Sequence, residues 1–121
     1  MLAHGIDIIE IPRIAKAIDS WGTRFLNRIY TESEIAHCQG RVPELAARFA
    51  GKEAVMKALG TGHRGISPGD IEILTDERGA PSVSLSGGAG VRADEMGLRH
   101  LVISLSHCRE YAIASVVGER Q

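Results

Sequence analysis

The strongest constraint on the fold is the stretch Glu44–Leu59, which is rich in Ala, Leu, Lys and Glu and contains no proline. Such residues favour an α-helix, and Gly60 and Gly62 predict where it ends. Its large apolar side chains fall on one stripe, which we expect to face a core: Leu45, Phe49, Met56 and Leu59. A second stripe consists of small residues that would let another backbone approach closely: Ala47, Gly51, Ala54 and Ala58.

The other predicted elements are helices early in the chain and mainly strands later. The early part has a strand over Met1–Ile9, a helix over Arg13–Ser20 after Pro12, and a helix over Ser33–Gln39 opened by a Thr31–Glu34 capping box. The later part has strands over Asp70–Thr75, Ser82–Leu85, His100–Leu105 and Tyr111–Val117, with a helix over Gly88–Met96. This order predicts one α+β domain over residues 1–121, with helices packed on an antiparallel sheet.

The bulk properties exclude several classes of protein. The chain has 121 residues, a formal net charge of −1 and 44% hydrophobic residues, which suit one compact domain rather than a chain-wide nucleic-acid surface. No apolar run reaches membrane length, so we expect no membrane association. Cys38 and Cys108 lie far apart without a CxxC pattern, and we interpret them as reduced thiols of a cytoplasmic protein.

Three polar residues stand out against the apolar pattern. Asp7 lies between Ile6 and Ile8, where a buried carboxylate without a partner would be costly. Glu53 and Lys57 are four residues apart and therefore project from the same side of the long helix. Two carboxylates brought together from strand and helix would suit Mg²⁺, which completes its shell with water and substrate phosphates. The lysine would then stabilise charge on a phosphate leaving group.

Simpler interpretations of these and neighbouring residues stay open. Glu53 and Lys57 could form a surface salt bridge worth only about a few tenths of a kcal/mol. Lys52 falls in the apolar stripe, so its ammonium must either reach solvent or meet an anionic partner. His107 could be an ordinary turn residue, and Cys108 lacks the third partner that a Cys/His nucleophile needs.

Three stretches of the sequence carry a family resemblance: GIDIIEIPRI (Gly5–Ile14), RFAGKEAVMKALGTG (Arg48–Gly62) and SLSHCREYAIASVV (Ser104–Val117). The first two resemble the signature motifs of the holo-acyl-carrier-protein synthase family of phosphopantetheinyl transferases. The third is similar to the closing hairpin of that family. Order and spacing agree over nearly the whole chain, with a departure at Ala3–His4, where the family pattern has glycine and then an aliphatic residue.

The resemblance implies roles for individual residues. Asp7 and Glu53 match the magnesium ligands, and Lys57 matches the basic residue beside the pyrophosphate. The remaining contacts with coenzyme A would come from Arg48, Lys52, Gly60, Thr61, Gly62 and His107. The family also implies a 4'-phosphopantetheinyl transferase-like fold in a compact homotrimer with its sites between neighbouring subunits.

The implied reaction, in fatty acid biosynthesis, transfers phosphopantetheine from coenzyme A to a serine of apo acyl carrier protein. Magnesium would polarise the diphosphate, the serine would attack the β-phosphate, and adenosine 3',5'-bisphosphate would leave. The proton of the serine could pass to Glu53 or to a metal-bound water.

The carrier protein would bind a basic segment between Glu10 and Arg28, where only two residues are acidic. Charge of this kind suits an acidic helical partner and acts mainly on the rate of encounter. The candidate contacts are Arg13, Arg24, Phe25 and Arg28. The alternative is a solvated face with Phe25 in the core.

Two other functions fit the residues without the resemblance. One is a metal-independent coenzyme A enzyme, such as an acyltransferase, that uses Arg48 and Lys52 for phosphates. The other is a non-catalytic oligomeric module that binds an acidic partner through the Arg13–Arg28 segment.

Overall fold

A computed structural model describes residues 1–60 and 65–121. Its helices are α1 (Ile11–Trp21), α2 (Thr23–Ile29), α3 (Glu32–Cys38), α4 (Val42–Leu59) and α5 (Gly87–Glu95). Its strands are β1 (Leu2–Glu10), β2 (Ile71–Thr75), β3 (Pro81–Leu85), β4 (Leu98–His107) and β5 (Tyr111–Arg120), and a 3-10 turn at Pro68–Asp70 precedes β2. The predicted α+β fold is confirmed.

The strands form two antiparallel sheets. The larger sheet has the order β1-β5-β4, and β2 and β3 form a separate hairpin. In the larger sheet Asp7 lies opposite Ala114, which lies opposite Leu105 on the next strand. Because side chains in one such row point to the same face, the register places Asp7 on the face that packs against α4.

Helix α4 runs through the centre of the domain. Leu45, Met56 and Leu59 are buried as predicted, while Phe49 is only half-buried. Burial extends around most of the helix, because β1 and β5 cover one side and α3 and β2 cover another. A single apolar stripe on the wheel therefore underestimates how much of α4 is enclosed.

The small-residue stripe of α4 does allow a close approach of another backbone. Gly5 of β1 lies directly on the helix, and a Cβ placed there would collide with the carbonyl oxygen of Ala54 and reach 3.0 Å from the nitrogen of Ala58. Earlier in the same stripe, a Cβ at Gly51 would collide with the Ile73 side chain. The strand and the helix therefore pack at a distance that only glycine and alanine permit.

The early helices agree with the predictions except in one respect. Both reciprocal hydrogen bonds of the Thr31–Glu34 capping box are present at the start of α3. The first helix, however, is longer than Arg13–Ser20, and it is followed by the separate helix α2 after a break at Gly22. Gly22 has φ +56°, a left-handed value that glycine adopts without a steric penalty and that redirects the chain.

No helix within the described residues is both long enough and apolar enough to cross a membrane.

Replacing Gly5 by alanine should lower the free energy of unfolding by about 3 kcal/mol, because the added methyl group forces β1 away from α4. Urea unfolding followed by the fluorescence of Trp21 measures the change. Gly90→Ala is the matched control, since a Cβ there meets Leu85 only at an ordinary 3.7 Å and a helical alanine is favoured. Equal stability of the two variants would contradict the packing described for β1.

Candidate active site

The candidate site begins with an ion pair between β1 and α4. The Nζ atom of Lys57 lies 3.1 Å from Oδ1 of Asp7 and donates a hydrogen bond to the carbonyl oxygen of Ile6 at 2.9 Å. The side chain of Asp7 is 18% exposed, and that of Lys57 is 56% exposed. Asp7 is therefore not an unpaired charge in an apolar strand, because the end of α4 supplies its partner.

Glu53 lies one helical turn before Lys57 and is half-buried. Within residues 1–60 and 65–121 its carboxylate has no hydrogen-bond or ion-pair partner, and Lys57 pairs with Asp7 instead. Within the described residues, Glu53 and Lys57 therefore do not form the simple surface salt bridge that their spacing allows. Among the described residues, α4 instead presents the Glu53 carboxylate without a partner beside the Asp7–Lys57 ion pair.

Asp7 and Glu53 fit a magnesium ion by the chemistry of their atoms. Both offer the hard carboxylate oxygens that Mg²⁺ prefers, and a site with two carboxylates is usual where substrate phosphates complete the shell. No cluster of three or more His, Cys, Asp or Glu side chains suited to a metal occurs in the described part of the chain. Since an exposed ion pair contributes little free energy, Lys57 can leave Asp7 for a phosphate at small cost.

A second ion pair lies in the interior, on another side of α4. Lys52 is 1% exposed, and its Nζ lies 2.7 Å from Oε1 of Glu34, which is completely buried. The same ammonium group donates to the carbonyl oxygens of Pro68, at 3.0 Å, and Ile71. Burial lowers the pKa of Lys52, and the adjacent carboxylate opposes that shift. Of the two arrangements expected for Lys52, the structure therefore has the anionic partner and not the route to solvent.

Arg48 is also buried, one turn before Lys52 on the same side of α4. Its Nε donates to the carbonyl oxygen of Ile73 at 3.0 Å, and its other nitrogens donate to Glu44 and Thr75. Contacts of Arg48 and Lys52 with coenzyme A stay predictions. Both side chains, however, direct their donors to groups inside the domain.

The remaining predicted coenzyme contacts are placed as follows. Gly60 ends α4 in a left-handed conformation with φ +72°, one turn beyond Lys57. His107 is the exposed last residue of β4, and the strand register assigns it to the same sheet face as Asp7, two strands away. Thr61 and Gly62 lie outside the described residues.

Comparison with known proteins decides the family. The model of the 4'-phosphopantetheinyl transferase superfamily matches residues 3–116. The chain belongs to this superfamily. It is 54% identical over 119 residues to the holo-[acyl-carrier-protein] synthase of Dehalococcoides mccartyi (strain CBDB1), covering 98% of this chain and 99% of that protein.

Solved structures of such synthases resemble the whole transferase domain. The Helicobacter pylori holo-[acyl-carrier-protein] synthase in complex with coenzyme A is 37% identical, with a TM-score of 0.88 over 96% of this chain and 99% of that one. The Neisseria meningitidis synthase is 34% identical, with a TM-score of 0.89 over 98% of each chain. At these identities the likeness extends beyond the fold to the family of enzymes.

The transferase has a groove on α2 and the end of α1 that is lined by three of the predicted carrier contacts. The groove measures about 560 Å³ and is lined by Trp21, Arg24, Phe25, Arg28 and Ile29. The guanidinium carbon of Arg24 lies 5.9 Å from the centre of the Trp21 ring, a cation–π contact. Phe25 is half-buried and packs edge-on against Tyr30, with 6.1 Å between ring centres. Arg13 lies exposed on α1.

Two residues of this transferase were not predicted to matter. Trp21 is 61% exposed and stands in the groove where the sequence indicates only Phe25 as an aromatic contact. Glu34 was predicted only as a capping residue, yet its carboxylate also pairs with Lys52 and accepts from the backbone nitrogen of Ile73 at 2.9 Å. The sequence indicated an anionic partner for Lys52 as one of two arrangements, but it did not indicate which carboxylate would supply it.

Proposed function

We infer that this chain is a holo-acyl-carrier-protein synthase, which transfers 4'-phosphopantetheine from coenzyme A to a serine of apo acyl carrier protein. The observation that carries this inference is the meeting of β1 and α4, where Asp7 pairs with Lys57 and Glu53 lies one turn away without a partner in the described residues. These are the positions that match the two signature motifs of the family. The Helicobacter pylori relative was solved in complex with coenzyme A, which supports coenzyme A as the substrate of this chain.

Asp7 and Glu53 are the proposed magnesium ligands. A bound Mg²⁺ supplies Lewis-acid polarisation of the diphosphate. The ammonium of Lys57, held 3.1 Å from Asp7, provides a positive charge at the same place, and its exposed end is free to turn toward a phosphate. It would stabilise the negative charge that develops on the departing adenosine 3',5'-bisphosphate.

Glu53 is also the proposed acceptor of the serine proton. Its carboxylate is half-buried, and no group within the described residues competes for it. As the bond from the serine oxygen to the β-phosphorus forms, the bond from that phosphorus to the bridging oxygen breaks, and the serine proton passes to the carboxylate. Glu53, the proposed proton acceptor, and Lys57, the proposed positive charge, therefore lie on consecutive turns of α4.

Asp7→Ala and Glu53→Ala should each lower the transfer rate by about 1,000-fold or more, because loss of a metal ligand removes several kcal/mol of transition-state stabilisation. The mass gain of apo carrier protein incubated with coenzyme A and Mg²⁺ measures transfer. Glu77→Ala, an exposed carboxylate in the turn between β2 and β3, is the control and should transfer at the wild-type rate.

Removal of divalent metal by EDTA should abolish the same mass gain, and added Mg²⁺ should restore it. Transfer by Asp7→Ala at the wild-type rate, or transfer that EDTA does not affect, would refute the metal assignment. Absence of the mass gain both with and without Mg²⁺ would instead favour the acyltransferase or the non-catalytic module.

The proposed carrier-protein surface is formed by Arg13 on α1 with Arg24, Phe25 and Arg28 on α2. The three arginines are exposed, and the aromatic side chains of Trp21 and Phe25 line the groove together with Arg24 and Arg28. An acidic helix with one apolar side chain would complement this surface in charge and in shape.

Arg24→Glu together with Arg28→Glu should raise the KM for carrier protein by about 10-fold and leave the affinity for coenzyme A unchanged, because these charges act on encounter with the protein substrate. The difference from wild type should shrink as salt is added, because exposed charges are screened. Arg78→Glu, in the exposed turn between β2 and β3, is the control. An equal effect of Arg78→Glu would show that net charge, rather than this surface, matters.

A homotrimer is proposed from the family resemblance and from the uncovered face of the larger sheet. Neighbouring strands there expose Ile6, Ile8, Val102 and Val117, at 48%, 60%, 67% and 37%. Contiguous apolar side chains on a sheet face are typical of a surface that a partner covers. The resemblance implies that the sites lie between subunits, and the expected location stays the cytoplasm.

Ile8→Glu should convert the trimer to monomers of 13.0 kDa, because a carboxylate would be buried between copies of the sheet. Light scattering after size exclusion measures the mass. Val91→Glu is the matched control, since Val91 is equally exposed, at 60%, but lies on α5. A trimer that survives Ile8→Glu would exclude this face as the interface.

A further inference from the structure

We propose that Lys52 and Glu34 are positioning residues, whose buried ion pair sets the rotation of α4 and thereby places Glu53 against Asp7. The proposal rests on the proposed function of Glu53 and Asp7. It differs from the role that the resemblance implies for Lys52, which is direct contact with coenzyme A.

The ammonium of Lys52 uses all three of its hydrogen-bond donors inside the domain. A lysine ammonium has three donors, and these are directed to Glu34, to the carbonyl oxygen of Pro68 and to that of Ile71. The acceptors lie on α3, at the start of the 3-10 turn and at the start of β2. A phosphate could bind this ammonium only by displacing one of these buried partners.

The carboxylate of Glu34 is itself fixed by three hydrogen bonds. Its Oε1 atom accepts from the backbone nitrogen of Thr31 at 2.9 Å and from Lys52 at 2.7 Å, and its Oε2 accepts from the nitrogen of Ile73 at 2.9 Å. The carboxylate thus joins α3 to β2 and offers a rigid anchor to the helix between them. Arg48 adds a similar tie one turn earlier through the carbonyl oxygen of Ile73.

The ion pair of Lys52 and Glu34 lies on a different side of α4 from β1. Ala54 and Ala58 face β1, in contact with Gly5, while Lys52 lies about 160° from Ala54 and about 120° from Ala58 on the wheel, at 100° per residue. Glu53 projects between these two fixed sides. The helix is therefore held from opposite directions, by a backbone contact on one side and by a buried charge on the other.

A small rotation of α4 would be enough to disturb the site. A carboxylate about 6 Å from the helix axis moves by about 1 Å when the helix turns by about 10°. A displacement of that size at a reacting centre can lower a rate by about 100-fold. Loss of the anchor should therefore act on catalysis even though neither Lys52 nor Glu34 touches a substrate.

The test compares kcat for phosphopantetheine transfer by Glu34→Gln and by Lys52→Met with that of the active wild-type protein. We expect each variant to lower kcat by about 10- to 100-fold and the double variant to be no slower than the worse single one, because both act through one contact. The dissociation constant of coenzyme A, measured by calorimetry without carrier protein, should change by less than about 3-fold. Glu72→Gln, which alters the carboxylate that accepts from Thr31 at 2.6 Å, is the matched control with wild-type kcat.

Other outcomes would overturn the proposal in distinct ways. A lower melting temperature with unchanged kcat in Glu34→Gln would make the pair merely structural. Loss of coenzyme A binding in Lys52→Met but not in Glu34→Gln would make Lys52 a direct phosphate ligand. An inactive wild-type protein would refute the proposed function and not the anchor alone.

A second variant keeps the test decisive if the single changes prevent folding. Glu34→Leu with Lys52→Met replaces the pair by apolar side chains, which often preserves or raises stability. It should fold, bind coenzyme A and transfer slowly, since the ties to Pro68 and Ile71 are gone. Transfer at the wild-type rate by this folded variant would refute the positioning role.

Discussion

The contact between Gly5 and α4 is the constraint on which the candidate site depends. The strand lies so close to the helix that a Cβ at this residue would collide with the carbonyl oxygen of Ala54. Asp7 follows two residues later on the same face of the strand, and Lys57 follows Ala54 by about one turn of the helix. The close approach therefore brings a carboxylate and an ammonium to 3.1 Å, although 50 residues separate them in the chain.

Helix α4 carries two lysines whose surroundings differ completely. Lys52 is enclosed by α3 and the segment before β2 and meets a buried carboxylate, whereas Lys57 projects from the end of the helix beside Asp7 with half of its side chain exposed. A buried charge cannot leave its partner without a large desolvation cost, but an exposed one can. The first lysine is therefore suited to hold the helix and the second to exchange partners during a reaction.

Much of the fold was predictable because it depends on local patterns. The capping box at Thr31, the end of α4 at Gly60 and the late hairpins follow from residues that lie near one another in the chain. Helix α2 after Gly22 was missed, because it is short and begins without a side-chain cap that the sequence could show. The half-burial of Phe49 was missed as well, because a wheel shows which residues share a face but not what covers it.

The roles of the proposed site residues stay predictions, and the way in which these residues pair could not be predicted from the sequence. Glu53 and Lys57 suggested a pair through their spacing, yet the partner of Lys57 comes from a distant strand, and that of Lys52 comes from α3. Long-range pairing depends on how the elements pack, which no local pattern contains. Two apolar side chains could fill the volume of Lys52 and Glu34, although backbone groups of α3, the 3-10 turn and β2 would then lose hydrogen bonds. Apolar contacts are non-directional, however, whereas the ammonium and carboxylate require particular donors and acceptors from α3, α4 and β2, so the charged pair defines one rotation of the helix.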